Sequence, residues 1–149
     1  MVAAEHYERP TVMERGFNRA FGVLVGLGLG MRHNYLLEVR GRRTGQKHAM
    51  PVSVLDLNGR RFLVAGRGRT HWVRNAEAAG EIALKKGRVR ARYRLRAVPD
   101  VEKPELLKAY VDRFTTTVQR YFPVPAGSPA AAFAAVAARY PVFELLPER

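Results

Sequence analysis

Apolar residues recur at every second position through much of residues 35–98, and at every third or fourth position from 105 onward. The first spacing predicts β-strands and the second predicts helices. Tyr35–Val39 reads as a strand, and Met50–Leu57, rich in Val and Leu, as another. Arg61–Ala65 returns beside it, because Asn58-Gly59 between them suits the positive φ angles of a two-residue hairpin turn. Thr70 stands where an N-cap belongs, so a short helix is expected over His71–Ala78, closed by Gly80. Glu81–Lys85 and Val89–Val98 make a further hairpin about Lys86-Gly87. Along its returning strand Arg88, Arg90, Arg92, Arg94 and Arg96 share one face, with Val89, Ala91, Tyr93, Leu95 and Ala97 on the other. Glu105–Phe122 carries Leu106, Leu107, Tyr110, Val111, Phe114 and Val118 at helical spacing. A loop rich in Pro and Gly, Pro123–Pro129, leads to an alanine-rich helix over Ala130–Tyr140 and a last strand over Val142–Leu146.

The start of the chain has a different pattern. Residues 1–10 are polar and are expected to form a flexible tail. From Thr11, with Glu14 three residues on as a capping box, a helix is expected over 11–31. Its apolar part, Phe21–Met31, holds four glycines and is too short to span a bilayer. It can lie on a membrane, with Arg15, Arg19 and Arg32 towards lipid phosphates, or pack on the sheet or at a dimer contact. At 149 residues, with no internal repeat or linker, residues 1–149 are expected to form a single domain. Pattern alone gives an α+β protein of short strands with helices at the start, middle and end.

Composition narrows the chemistry. There is no cysteine, which excludes disulfides, thiolate catalysis and zinc–thiolate sites. The four histidines, at 6, 33, 48 and 71, show no metal-ligand spacing, so no metal is expected. The first ten residues lack a signal-peptide pattern, which makes a cytoplasmic location, with membrane association as an option, the expectation. A net charge of +13 calls for an anionic partner: nucleic acid, a membrane surface, or a phosphorylated or polycarboxylate small molecule. The arginine ladder invites the first, through salt-sensitive phosphate contacts. It lacks interleaved exposed aromatics for stacking bases, and no recognised nucleic-acid-binding module is visible, so no nucleic-acid partner is expected.

Two basic loops flank the first hairpin. Gly41-Arg42-Arg43-Thr44-Gly45 precedes it, and Gly66-Arg67-Gly68-Arg69 follows, leading into the helix that begins after Thr70. Guanidinium groups and a helix start both hold phosphate or carboxylate. Because a hairpin returns close to its origin, the two loops are expected to form one anion cradle. Solubility alone also collects Gly and Arg in the turns of a basic protein. Neither loop is a Walker A sequence or a dinucleotide fingerprint.

Gly41-Arg42-Arg43-Thr44-Gly45 with Pro51-Val52, then Val64-Ala65-Gly66-Arg67-Gly68 and Trp72-Val73-Arg74-Asn75, and finally Tyr140-Pro141-Val142-Phe143-Glu144-Leu145, form an ordered series. It resembles the deazaflavin (F420)-dependent nitroreductase-like family. The resemblance covers roughly residues 12–147. It implies a split β-barrel of the flavin-reductase and pyridoxamine-phosphate-oxidase type. It also implies F420, rather than FMN, as cofactor: a deazaflavin with a phosphate and a polycarboxylate tail. Arg43, Thr44 and Gly45 match positions that hold phosphate and tail. Pro51 belongs to the same signature, and His48 falls where the family usually has Arg. Val64, Gly66, Arg67 and Gly68 match positions along the deazaflavin, Ser53 one near its ring, and His71, Trp72 and Asn75 the helix that walls it. The implied reaction is hydride transfer to a small electron acceptor: a quinone, a nitro compound or an activated alkene. Tyr110 and Tyr121 are candidate proton donors. A carrier of the same fold holding F420, another flavin or a lipid is the alternative, and a homodimer is possible.

Overall fold

The run over Met50–Leu57 is two strands. The computed structural model describes residues 33–148, and within them Val54 breaks this run into β2 (Lys47–Ser53) and β3 (Leu55–Leu57). The two pieces pair with different partners. β2 lies antiparallel to β1 (Asn34–Arg40), and β3 makes the Asn58-Gly59 hairpin with β4 (Arg60–Val64). In that turn Asn58 and Gly59 have φ of 53° and 76°, the double left-handed geometry expected there.

With β5 (Glu81–Lys86), β6 (Val89–Ala97) and β7 (Val142–Pro147), the strands form one antiparallel sheet in the order β2-β1-β5-β6-β7-β4-β3. Its two edge strands are neighbours in sequence, joined only through Val54. The sheet therefore curls until its edges share a corner, as in a split barrel. Val54 is fully buried there, and its N–H donates to the carbonyl of His33 at 2.8 Å. Alternation sorts side chains onto two sides of the sheet. Leu37, Leu63, Leu84, Tyr93 and Leu145 fill the barrel interior. Phe62 and Val64, either side of Leu63 on β4, face the other way into a helical layer.

That layer departs from the sequence pattern in two places. The helix expected over 105–122 is α2 (Lys103–Arg113), a break at Phe114 (φ −112°, ψ 31°), and one further turn, α3 (Thr115–Val118). The Thr115 hydroxyl donates to the carbonyls of Val111 and Asp112, satisfying groups that a continuing helix would have bonded. The alanine-rich stretch Ala130–Arg139 is wound as 3₁₀ turns rather than α-helix. Three residues per turn set Phe133 directly over Val136 against the core, and Tyr140 then stacks on Phe122 at 4.2 Å. The helix expected over 11–31 and the tail before it lie outside the described residues.

The short helix is α1 (His71–Ala79), closed by Gly80 at φ 71°, whose N–H donates to the Ala76 carbonyl. The arginine ladder lies on the outer face as alternation requires, and much of it is paired. Arg90 meets Glu38 at 2.7 Å, Arg92 meets Glu81 at 3.2 Å, and Arg96 meets Glu144 at 2.9 Å.

Glu144 is buried on β7 between two strands that both aim arginines at it. Arg60 from β4 donates twice, at 2.7 and 2.8 Å, and Arg96 from β6 donates once. These bonds hold its carboxyl down at about 2, against an ordinary 4.5. A carboxylate whose pKa falls on folding contributes stability that is complete above its unfolded value and is lost as pH drops through the folded one. Urea midpoints are expected to fall between about pH 5 and pH 2 for this reason. Glu144→Gln should lower stability at pH 7 by about 2 kcal/mol and flatten that acid limb. An acid limb identical in both proteins would assign it to other carboxylates.

Candidate functional site

The β1–β2 connection is the first basic loop. Gly41 N–H donates to the Gln46 carbonyl at 2.7 Å, Gly45 N–H donates to the Gly41 carbonyl at 2.9 Å, and Arg40 Nη1 donates to the Gly45 carbonyl at 2.8 Å. The Thr44 hydroxyl accepts from Gln46 N–H at 3.2 Å. Gly45 has φ 73°, so its place in the motif is explained by this turn. Gly41 has a different reason. A Cβ there would lie 2.8 Å from His48 Nε2, so the absence of a side chain lets the imidazole rest on the loop backbone.

The second basic loop joins β4 to α1. Gly68, at φ 84°, donates its N–H to the Ala65 carbonyl and accepts from Thr70 N–H, a tight turn that aims α1 back across the barrel. Thr70 is the residue before the helix, as expected, yet its hydroxyl makes no cap hydrogen bond and is buried without a partner among the described residues. No acidic side chain sits in the first turn either. The opening amides of α1 and its positive dipole end are thus free of a side-chain cap.

The two loops meet, for a reason other than the hairpin. β2 and β4 are not neighbours in the sheet. The link is Asn75, on the buried face of α1 with 6% exposure. Its Oδ1 accepts from Arg42 N–H at 3.1 Å and from Arg42 Nη1 at 2.7 Å, which fastens the β1–β2 loop to the helix. Trp72, edge-on to Phe143 at 6.2 Å, seats the same helix on the sheet.

Between them lies a groove of about 550 Å³. Arg42, Arg43 and Thr44 line it from one loop, Arg67 and Thr70 from the other, and His71, Trp72 and Asn75 from α1. His48, Ala49, Met50 and Val39 form its floor along β2 and β1. No carboxylate belongs to this lining among the described residues. Arg43 is exposed and makes no ion pair or hydrogen bond among them. The lining therefore combines cationic and apolar groups, the mixture a phosphate- and carboxylate-bearing aromatic ligand needs.

Of the residues singled out by sequence, Arg43, Thr44, His48, Arg67, His71, Trp72 and Asn75 are brought to this groove. Others are not. Ser53 donates to Asn34 Oδ1 at 3.2 Å, outside it. Pro51 pairs with Leu36 on the face opposite to Met50. Val64 is buried in the helical-layer core. Gly45 and Gly68 shape turns, and Gly66 packs against Tyr121 and Phe122. Tyr110 is also corrected: it is buried among Phe114 and Phe122, and burial pushes its phenol above the ordinary range. Tyr121 is half-buried, with the Arg67 guanidinium 5.2 Å above its ring. Sequence reasoning missed Arg42 as the tied partner of Asn75, since nothing distinguishes it from Arg43 before folding. It also missed the apolar floor of Val39, Ala49 and Met50.

Comparison with solved structures recovers the same fold at low identity. An F420-H2 dependent reductase superposes with a TM-score of 0.52 at 19% identity, covering 76% of this chain and 94% of that one. A domain-swapped dimer gives 0.54 at 20% identity, covering 89% and 92%. A Listeria innocua protein provisionally assigned as a pyridoxamine 5′-phosphate oxidase gives 0.52 at 10%, covering 79% and 86%. No curated protein matches the chain. The family model for F420H(2)-dependent quinone reductases matches residues 12–123, which include both basic loops and α1. The chain belongs to the F420H(2)-dependent quinone reductase family, and F420 is its cofactor.

Proposed function

We propose that this groove holds F420 and that the chain passes a hydride from F420H2 to a quinone. The observation that carries the reading is the convergence of three guanidiniums and an uncapped helix start on one groove whose lining has no opposing carboxylate. Arg43 and the opening amides of α1 bind the phosphate and tail carboxylates through charge-assisted hydrogen bonds. Arg42 is oriented by Asn75 and presents its remaining N–H groups to the same anion. Trp72, Met50 and Val39 wall the flat ring and exclude water from it. F420H2 supplies the hydride at C5, and the protein supplies position. A quinone needs a proton with the hydride. Tyr121, which packs near Gly66 and beneath Arg67, is our candidate donor.

Nitro compounds and activated alkenes are the other acceptors the chemistry allows. Single-turnover oxidation of F420H2 under anaerobic conditions, with menadione, a nitroaromatic and an unsaturated lactone in turn, ranks them. Menadione is expected to restore oxidised F420 fastest. Equal, background-level rates with all three would refute the reductase reading while leaving cofactor binding to be measured separately.

A further inference from the structure

His48 is the one imidazole on the groove's floor, and imidazole is the side chain suited to switching charge near neutral pH. It pairs with Val39 across β1 and β2, so its side chain points to the same side as the barrel interior, at the rim. The ring lies against Gly41, at the separation a Cβ there would forbid. It is exposed and makes no hydrogen bond among the described residues. The charged and titratable groups sharing the groove with it are Arg42 and Arg43 from the β1–β2 loop, Arg67 from the β4–α1 loop and His71 from α1. Lys47 and Glu38 sit on the strands' other face, 3.7 Å apart. No carboxylate in the lining competes for an imidazolium.

We infer that His48 is an affinity-determining residue of the groove: as imidazolium it binds the anionic part of the cofactor, and as neutral imidazole it does not. This rests on the assignment of the groove to F420 and adds to it a dependence on proton concentration. A bound anion favours the imidazolium, so proton and cofactor bind cooperatively. Affinity should rise as pH falls through the imidazole range, by about tenfold between pH 8 and pH 5.5 for one coupled proton.

The ionisation of F420 itself adds a pH dependence common to every variant, so the comparison is between variants. F420 dissociation constants are measured from pH 5.5 to 8 for the wild-type chain, His48→Gln and His48→Arg. Relative to Arg, the wild-type chain should match at pH 5.5 and fall about tenfold behind at pH 8. Relative to Gln, it should be tighter at pH 5.5 and equal at pH 8. In parallel, the His48 ring proton is titrated by NMR with and without F420. It is also titrated with and without sulfate, whose charge is constant over this range. Either anion should move the titration midpoint to higher pH. Parallel profiles for the wild-type chain and His48→Gln, with F420 bound in both, would overturn the inference and leave the groove assignment intact. Absence of F420 binding at every pH would overturn that assignment instead. The sulfate titration then decides His48 alone, and an unmoved midpoint counts against it.

Discussion

Asn75→Leu is expected to lower stability by about 3 kcal/mol and to abolish measurable F420 binding. Leucine keeps the volume and removes the acceptor on which Arg42 places both its backbone N–H and its guanidinium. Those donors are left part-buried and unmatched, a penalty larger than the worth of either bond. The loop would also lose its fastening to α1, and the two basic loops would no longer be held together. Asn75→Asp separates the two effects. A carboxylate still accepts both bonds, so thermal stability should be retained, yet it places a negative charge in the groove and should weaken F420 binding by at least tenfold. If Asp binds as tightly as Asn, the groove is not where the anionic part sits. If Leu is as stable as the wild-type chain, the Arg42–Asn75 link is not what joins the loops.

Arg43→Glu carries the second large effect, in binding alone. Arg43 is exposed and makes no ion pair among the described residues, so stability should stay within about 0.5 kcal/mol of the wild type. F420 affinity should fall by about 2 kcal/mol, roughly 30-fold, because a charge-assisted contact becomes a repulsion. Raising the salt concentration should shrink that difference, since the side chain is open to solvent. A variant that binds F420 like the wild type would remove Arg43 from the site. Exposed surface arginines elsewhere, such as Arg88 at the β5–β6 turn, supply the control for net charge.

Local structure was legible where a single dihedral or a single face decides it. Asn58-Gly59 announced its turn because few other dipeptides accept two positive φ angles. The arginine ladder announced its strand because period two has no other cause. Gly80 announced the end of α1 in the same way. Partner choice was not legible. Met50–Leu57 reads as one strand, and nothing in its alternation reveals that β2 and β3 face different neighbours across Val54. The barrel corner is a tertiary property, fixed by burial of Val54 and not by propensity.

The helical layer shows the converse limit. Leu106, Leu107, Tyr110 and Val111 were correctly placed on the buried face, but the helix stops at Arg113 because Thr115 bonds back to the preceding carbonyls. For the site, sequence found the basic loops and the Trp72–Asn75 helix. The reason given for their convergence was wrong: it depends on one amide oxygen accepting two bonds from Arg42, which no hairpin geometry supplies. The motif residues that fell outside the groove do so for backbone or packing reasons. Gly45 and Gly68 need left-handed φ, and Val64 fills a core. A motif therefore mixes residues that line the groove with residues that hold the loop in shape.

The claim that the groove receives F420 is tested most directly by titrating the cofactor with the full chain and following its fluorescence, with FMN as control and Arg43→Glu alongside. Saturable binding of one F420 per chain is expected, with FMN far weaker and the variant displaced to higher concentration. Fluorescence that never changes, or wild-type and variant curves that coincide, would contradict it.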